Sequence, residues 1–171
     1  LHLSIRRQRQ MCIRDRAWAV DSLLLEATAD EVLESMKTID FTSQAVVLDS
    51  EFPDDLEIQY DSSKLDKIEL LNNHPTHLQY NFEAREDQLM VFSEMYYPKG
   101  WHVSIDKEKV DFFPINYVLR GLKVPKGNHT IDFIFDPPVI KKGAYIRLIT
   151  LLIFTAIIYF FGYHRFKFKS N

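Results

Sequence analysis

The run from Ile146 to Tyr163 constrains this chain more than any other segment. Leu151, Leu152, Ile153, Phe154, Ala156, Ile157, Ile158, Phe160 and Phe161 fall within it, and after Arg147 only hydroxyl-bearing side chains interrupt it. At about 1.5 Å per residue, roughly 18 to 20 such residues cross a hydrocarbon core of about 30 Å. The pattern predicts a transmembrane helix over 144–163, followed by the short basic tail 164–171. Residues 17–140 read as a water-facing, mostly β domain. The chain is therefore expected to be a domain tethered to a membrane by its C-terminus.

A length of 171 residues accommodates one domain and one span, and 46% hydrophobic content supports a packed core over a disordered chain. The N-terminus distorts the charge. Arg6-Arg7-Gln8-Arg9-Gln10-Met11-Cys12-Ile13-Arg14-Asp15 is what CGT CGG CAG CGT CAG ATG TGT ATA AGA GAC encodes, a string resembling a transposon-based sequencing adapter. Residues 1–16 are read as its translation, expected to add nothing to stability, and are set aside from fold reasoning. The other reading of these arginines is a basic arm for nucleic acid or anionic lipid. Without residues 1–15 four arginines and one aspartate go, and the formal charge moves from −3 to −6. The single cysteine, Cys12, goes with them, which leaves no native disulfide or thiolate chemistry. The native text begins at Arg16 or Ala17 and reads as the tail of a longer reading frame.

Ala17 to Leu25 predicts an opening strand. Thr28 and Glu31 have capping-box spacing, and Val32, Leu33 and Met36 follow on one face of a helix from about Ala29 to Lys37. Gln44 to Asp49 reads as a short buried strand. From Lys64 onward the period is two. Leu78, Tyr80, Phe82 and Ala84 alternate with Gln79, Asn81, Glu83 and Arg85, the pattern of a half-buried antiparallel strand. Leu89-Met90-Val91-Phe92 is apolar on both faces. Trp101, Val103 and Ile105 share a face, as do Ile131, Phe133 and Phe135. Turns are expected at Asp106-Lys107-Glu108-Lys109 and Pro125-Lys126-Gly127-Asn128. Pro137-Pro138 closes the last strand, and Lys141-Lys142-Gly143 reads as a hinge before the membrane. About seven strands at this spacing predict a mainly β fold: an antiparallel β-sandwich with one short N-terminal helix, then a single membrane helix.

Few residues offer chemistry. His74-Pro75-Thr76-His77 has two imidazoles, but Pro75 forbids the helix that would pair them, and a turn is expected; no metal and no cofactor is assigned. Asn128-His129-Thr130 fits a glycosylation acceptor, yet a turn asparagine at positive φ accounts for it better. No nucleophile elbow, P-loop, dinucleotide-binding glycine pattern or paired-carboxylate spacing is present, and no catalytic residue is assigned. The acidic domain would repel phosphate, which argues against nucleic acid.

Tyr96-Tyr97-Pro98-Lys99-Gly100-Trp101 is the most distinctive stretch. Tyr96, Tyr97 and Trp101 are the candidate glycan-contacting residues, because an aromatic plane matches the apolar face of a pyranose. Trp101 reads equally as a core residue, with Gly100 turning the chain into its strand. From Leu89 to Asp106, LMVFSEMYYPKGWHVSID resembles the signature of the YfhO-like bacterial membrane proteins. The resemblance continues through Asn116-Tyr117-Val118-Leu119-Arg120-Gly121 and Val124 to Phe133, and Arg16-Ala17-Trp18 is similar to the family's lead into this region. Lys107 departs from it, standing where the family usually has a turn glycine.

The resemblance implies a large multi-pass protein of the bacterial cell membrane. Its N-terminal helices would be similar to glycosyltransferases that use lipid-linked sugars, and an extracytoplasmic β domain would precede the last helix. Family members are linked to glycosylation of cell-surface polymers. The chain is then expected to be an accessory module and not an enzyme by itself, although its parent protein could transfer sugars. Its expected partners are the lipid bilayer, the transmembrane helices of the missing N-terminal part and a cell-surface glycan. The alternative is a purely structural β domain with no ligand. The tail 164–171 is expected in the cytoplasm.

Overall fold

The computed structural model of the chain describes residues 16–53 and 56–169. The adapter reading of Leu1 to Asp15 therefore lies outside the described residues. Arg16 belongs to the fold, its carbonyl accepting the Ser93 N–H at 2.8 Å. The chain divides into a β domain ending at Phe135 and a second unit from Asp136 onward.

Two antiparallel sheets form the sandwich. The first joins β1 (Ala17–Val20), β6 (Gln88–Met95), β10 (Leu119–Val124) and β9 (Phe113–Ile115) in the order β1-β6-β10-β9. The second joins β4 (Leu65–His74), β5 (His77–Ala84), β11 (Gly127–Phe135), β7 (Trp101–Ile105) and β8 (Glu108–Val110) in the order β4-β5-β11-β7-β8. Alternation decides which side chains meet between them. Leu78, Tyr80, Phe82, Ala84, Val103, Ile105, Ile131 and Phe133 of the five-stranded sheet pack with Ala17, Ala19, Met90, Phe92, Leu122 and Val124 of the other. Phe92 lies edge-on to both Tyr80 and Phe133, with centroids 5.1 and 4.9 Å away, a geometry that aromatic quadrupoles favour.

A third layer covers the outer face of the four-stranded sheet. The expected opening strand is split at Asp21. Val20 still pairs with β6, whereas β2 (Ser22–Glu26) pairs in parallel with β3 (Gln44–Leu48). Asp21 is held from both sides, its N–H donating to Ser43 O and its carbonyl accepting the Tyr60 N–H, both at 2.7 Å. Parallel neighbours need a crossover, and α1 (Ala29–Ser35) supplies it. Its capping box forms as predicted, with Thr28 Oγ1 accepting the Glu31 N–H at 3.3 Å and Glu31 Oε2 accepting the Thr28 N–H at 3.0 Å. Val32 is buried, but Leu33 points to solvent. Leu23, Ala45 and Val47 of this layer close a second core against Val20, Leu89, Val91, Phe113 and Ile115.

The fold is thus the expected sandwich, with eleven strands in three sheets among the described residues instead of about seven strands. The additional strands are short. β8 and β9 have three residues each, too few for a period of two to register in sequence.

The turns refine the reading further. Pro75 and Thr76 join β4 to β5, as expected. At the β10–β11 turn the positive φ belongs to Gly127 (128°), while Asn128 lies within β11 opposite Glu83. The expected role of Asn128 as a turn residue is therefore corrected; Gly127 meets that demand without steric cost. Asp106 and Lys107 carry φ of 51° and 74° between β7 and β8, as a two-residue type I′ hairpin requires. Asp106 is fixed there, with Oδ2 2.6 Å from His129 Nδ1 and Oδ1 accepting the Thr130 N–H at 2.8 Å. These two bonds, His129's first, hold its carboxyl below the usual carboxylate range.

In the second unit, α2 (Pro138–Lys169) runs for 32 residues. The hinge expected at Lys141-Lys142-Gly143 is instead helical. Pro138 suits a first helical position, and lysines are good helix formers. Residues Pro138–Tyr159 have a mean hydropathy of 1.5 and are long and apolar enough to cross a membrane. Thr150 and Thr155 turn their hydroxyls back onto the carbonyls of Ile146 and Leu152, each at 2.9 Å. Neither threonine hydroxyl then needs water as its acceptor.

Lys107 pays the steric cost of the left-handed region that a glycine avoids. Lys107→Gly should stabilise the domain by about 1 kcal/mol, measured as a higher denaturant midpoint at unchanged slope.

Candidate functional site

The three candidate residues lie on the loop that carries the chain from β6 into β7, from one sheet to the other. Tyr96 is half-buried. Its N–H donates to Val118 O at 2.7 Å, and its ring meets Phe112 edge-on at 5.2 Å. Burial, followed by the negative charges of Glu51 and Asp111, raises its phenol pKa. Tyr97 is 48% exposed, and its carbonyl accepts the Trp101 N–H at 3.3 Å, closing the turn around Pro98, Lys99 and Gly100. Gly100 is buried under the Phe135 ring. A Cβ there would lie 2.4 Å from Phe135 Cε2, so glycine is the residue that fits.

Trp101 opens β7 opposite Phe135, with ring centroids 5.2 Å apart. It packs against the main core without being fully enclosed. Both readings of the indole thus keep a physical basis, since one part of it packs and another meets solvent. The stacking contacts connect Tyr96 to Phe112 and Trp101 to Phe135; among the described ring contacts neither tyrosine stacks on the indole.

The residue that sequence reasoning did not single out is Arg120. It is 2% exposed, with its guanidinium carbon 4.3 Å from the Trp101 ring centre and 5.2 Å from that of Phe133. Its Nε–H donates to Met95 O at 2.9 Å. Ring faces attract a cation, so the two aromatics compensate part of what the buried charge loses on leaving water. Glu94 supplies more. Burial raises the Glu94 pKa, while Arg120 and Arg16 pull it back. Arg16 Nη1 lies 3.8 Å from Glu94 Oε1 and donates to Asn73 Oδ1 at 2.7 Å. The Tyr80 hydroxyl donates to Glu94 at 3.3 Å, and its own pKa is pushed far up, first by burial and then by the Glu94 charge. Arg16, Glu94, Trp101 and Arg120, scattered across the quoted motifs, thus meet at one end of the sandwich. The sequence signal was a lone arginine within an apolar strand; its partners are set by strand pairing and could not be read locally.

A separate groove of about 740 Å³ borders the β7–β8 hairpin, lined by Asp106, Asp111, Phe112, Phe113, Lys123 and His129 among others. It contains none of the three candidate residues. His77 Nε2 pairs with Asp132 Oδ1 at 2.7 Å, and no group of three or more histidine, cysteine or acidic residues is placed to hold a metal among the described residues.

Arg120 fills a planar slot that an ammonium does not match. Arg120→Lys should lower stability by about 2 kcal/mol, the combined loss of a charge-assisted hydrogen bond and part of the cation–π contact, read from equilibrium unfolding.

Comparison with known proteins agrees with the motifs. The family described as "Bacterial membrane protein YfhO" matches residues 34–147, from the end of α1 to the first turns of α2. A relative, "Uncharacterized protein YfhO" of Bacillus subtilis (strain 168), is 29% identical over 91 residues, which is 53% of this chain and 10% of that protein. The chain thus matches about a tenth of the length of that relative. No solved structure matches it. With the family match covering most of the β domain and reaching into an apolar helix fit to span a bilayer, this chain belongs to the YfhO family of bacterial membrane proteins.

Proposed function

We propose that the β domain is an accessory, extracytoplasmic module of a larger multi-pass protein of the bacterial cell membrane that serves glycosylation of cell-surface polymers. The domain positions the acceptor glycan, and the sugar-transferring chemistry belongs to other parts of that protein. The observation that carries this reading is the loop of Tyr96, Tyr97 and Trp101. The indole is oriented by Phe135 and Arg120, and Tyr97, four residues earlier on the same loop, has nearly half its surface open. A fixed ring and an exposed ring on one loop offer a pyranose apolar planes at little ordering cost. The second reading, a structural domain without ligand, draws on Tyr96, whose packing on Phe112 joins it to the core.

Tyr97 separates the two readings because its truncation costs little packing. With the chain in nanodiscs and an envelope polysaccharide as ligand, Tyr97→Ala should weaken binding about three- to tenfold, the worth of one aromatic contact. Its melting temperature should not change. A chain that binds no polysaccharide, or a variant that binds as well as its parent, favours the structural reading.

The orientation follows from charge. Lys141, Lys142 and Arg147 precede the apolar stretch, and Arg165, Lys167 and Lys169 follow it, so the positive-inside count is a tie. The acidic domain breaks it, having no attraction to an anionic cytoplasmic leaflet. Asn171 is then cytoplasmic and Asp106 extracytoplasmic, with Arg147 snorkelling to the outer interface. In the full-length protein a C-terminal cytoplasmic reporter should be active and alkaline phosphatase silent; the opposite pair of results inverts the topology.

A further inference from the structure

Alternation along β11 places His129 on the same face as Ile131 and Phe133, toward the space between the two sheets. It is the last position on that face to carry a side chain before the strand begins at Gly127, and the imidazole is 20% exposed. Phe82, its partner on β5, lies nearly parallel beneath it, with ring centroids 6.4 Å apart.

Both ring nitrogens of His129 meet acceptors. Nδ1 is 2.6 Å from Asp106 Oδ2, and Nε2 is 3.1 Å from Lys126 O. A backbone carbonyl only accepts, so Nε2 carries a hydrogen. The Asp106 carboxyl is held in its ionised form, with Oδ1 already accepting the Thr130 N–H, so Oδ2 accepts too. Nδ1 then carries a second hydrogen. A ring with hydrogens on both nitrogens is an imidazolium.

That cation ties turns together. Asp106 belongs to the β7–β8 hairpin and Lys126 to the β10–β11 turn, and the Lys126 N–H donates to Asp87 Oδ1 of the β5–β6 turn at 3.0 Å. Asp106 and His129 also line the groove of about 740 Å³. Facing the imidazole are the Asp106 carboxylate from the hairpin, Lys126 from its own turn and the uncharged Phe82 ring from β5. Glu108, Asp111 and Lys123 line the same groove. Asp106 raises the His129 pKa, first through its hydrogen bond; partial burial opposes the rise, and the Lys126 carbonyl adds to it.

We propose that His129 is a pH-sensitive latch, which as an imidazolium clips the β7–β8 hairpin to the β10–β11 turn and on losing its proton lets that wall of the groove loosen. A neutral ring has one hydrogen for two acceptors, so one nitrogen must then face an oxygen lone pair to lone pair. The Asp106 N–H still donates to Thr130 O at 2.9 Å, so the hairpin loosens without leaving the sheet. The sign follows from the raised pKa. The latch contributes fully below the unfolded value of about 6.5 and is lost as pH rises through the folded value. The inference is independent of glycan binding at Tyr97.

The test uses the full chain in nanodiscs with ¹⁵N-labelled histidine, and His129→Gln identifies the His129 signal among the six histidines. Both ring nitrogens of His129 should show imidazolium shifts at pH 6.5, with a titration midpoint above about 6.5. Asp106→Asn should move that midpoint down. Hydrogen-exchange protection of the Glu108–Val110 amides, corrected for the intrinsic rate at each pH, should fall several-fold as pH passes the midpoint. In His129→Gln it should be low throughout and no longer follow pH. A midpoint at or below the ordinary value in the unmodified chain overturns the proposal. So does hairpin protection that stays constant through the midpoint, since the proton would then hold nothing.

Discussion

From Gln88 to Phe92 strand β6 has no face toward water, and the arrangement of the layers around it answers to that. Met90 and Phe92 enter the core shared with the five-stranded sheet, Leu89 and Val91 enter the core shared with β2 and β3, and all four are fully buried. A strand apolar on both sides is stable only when something covers each side. The five-stranded sheet covers one. The parallel pair β2–β3, joined by α1, covers the other. The break at Asp21 is what lets one stretch of chain serve both purposes, adding β1 to the edge of the sheet and then leaving it to lie over the same sheet's outer face. Asn116 locks that cover down: its Oδ1 accepts the Val46 N–H at 2.9 Å, and its own N–H donates to Val46 O at 2.8 Å.

A second constraint operates where the two sheets meet at the Met95–Trp101 end. A buried guanidinium is costly unless its charge is compensated. Here two ring faces, one carbonyl and the field of Glu94 share that task. The same steric economy explains the glycines flanking this region. Gly100 lies under Phe135, and a Cβ on Gly121 would fall 2.7 Å from the Phe113 ring. These glycines mark close approach of rings to backbone, and their neighbours Trp101 and Arg120 are the residues thereby brought into register. The aromatic loop and the core are therefore one structure: the rings that orient Trp101 and Arg120 are continuous with those that hold the sandwich together.

The sequence by itself determined the long apolar helix fit to span a membrane, since length and hydropathy suffice, and the half-buried strand β5, since eight alternating residues leave no other face to bury. It also determined the cap of α1, whose Thr28–Glu31 spacing is a local property. The two-faced character of Leu89 to Phe92 was legible, and so was the distinctive loop at Tyr96, Tyr97 and Trp101. Only the tertiary structure decided what covers β6, because a parallel pairing of Ser22–Glu26 with Gln44–Leu48 leaves no local mark. It likewise moved the positive φ from Asn128 to Gly127, which depends on where β11 begins pairing with β5. And it brought Arg120 onto Trp101, residues on different sheets whose meeting depends on the register of β6 with β10 and of β7 with β11. Sequence periodicity fixes which face of a strand is buried; which strands then face each other is a long-range choice that no window of sequence contains.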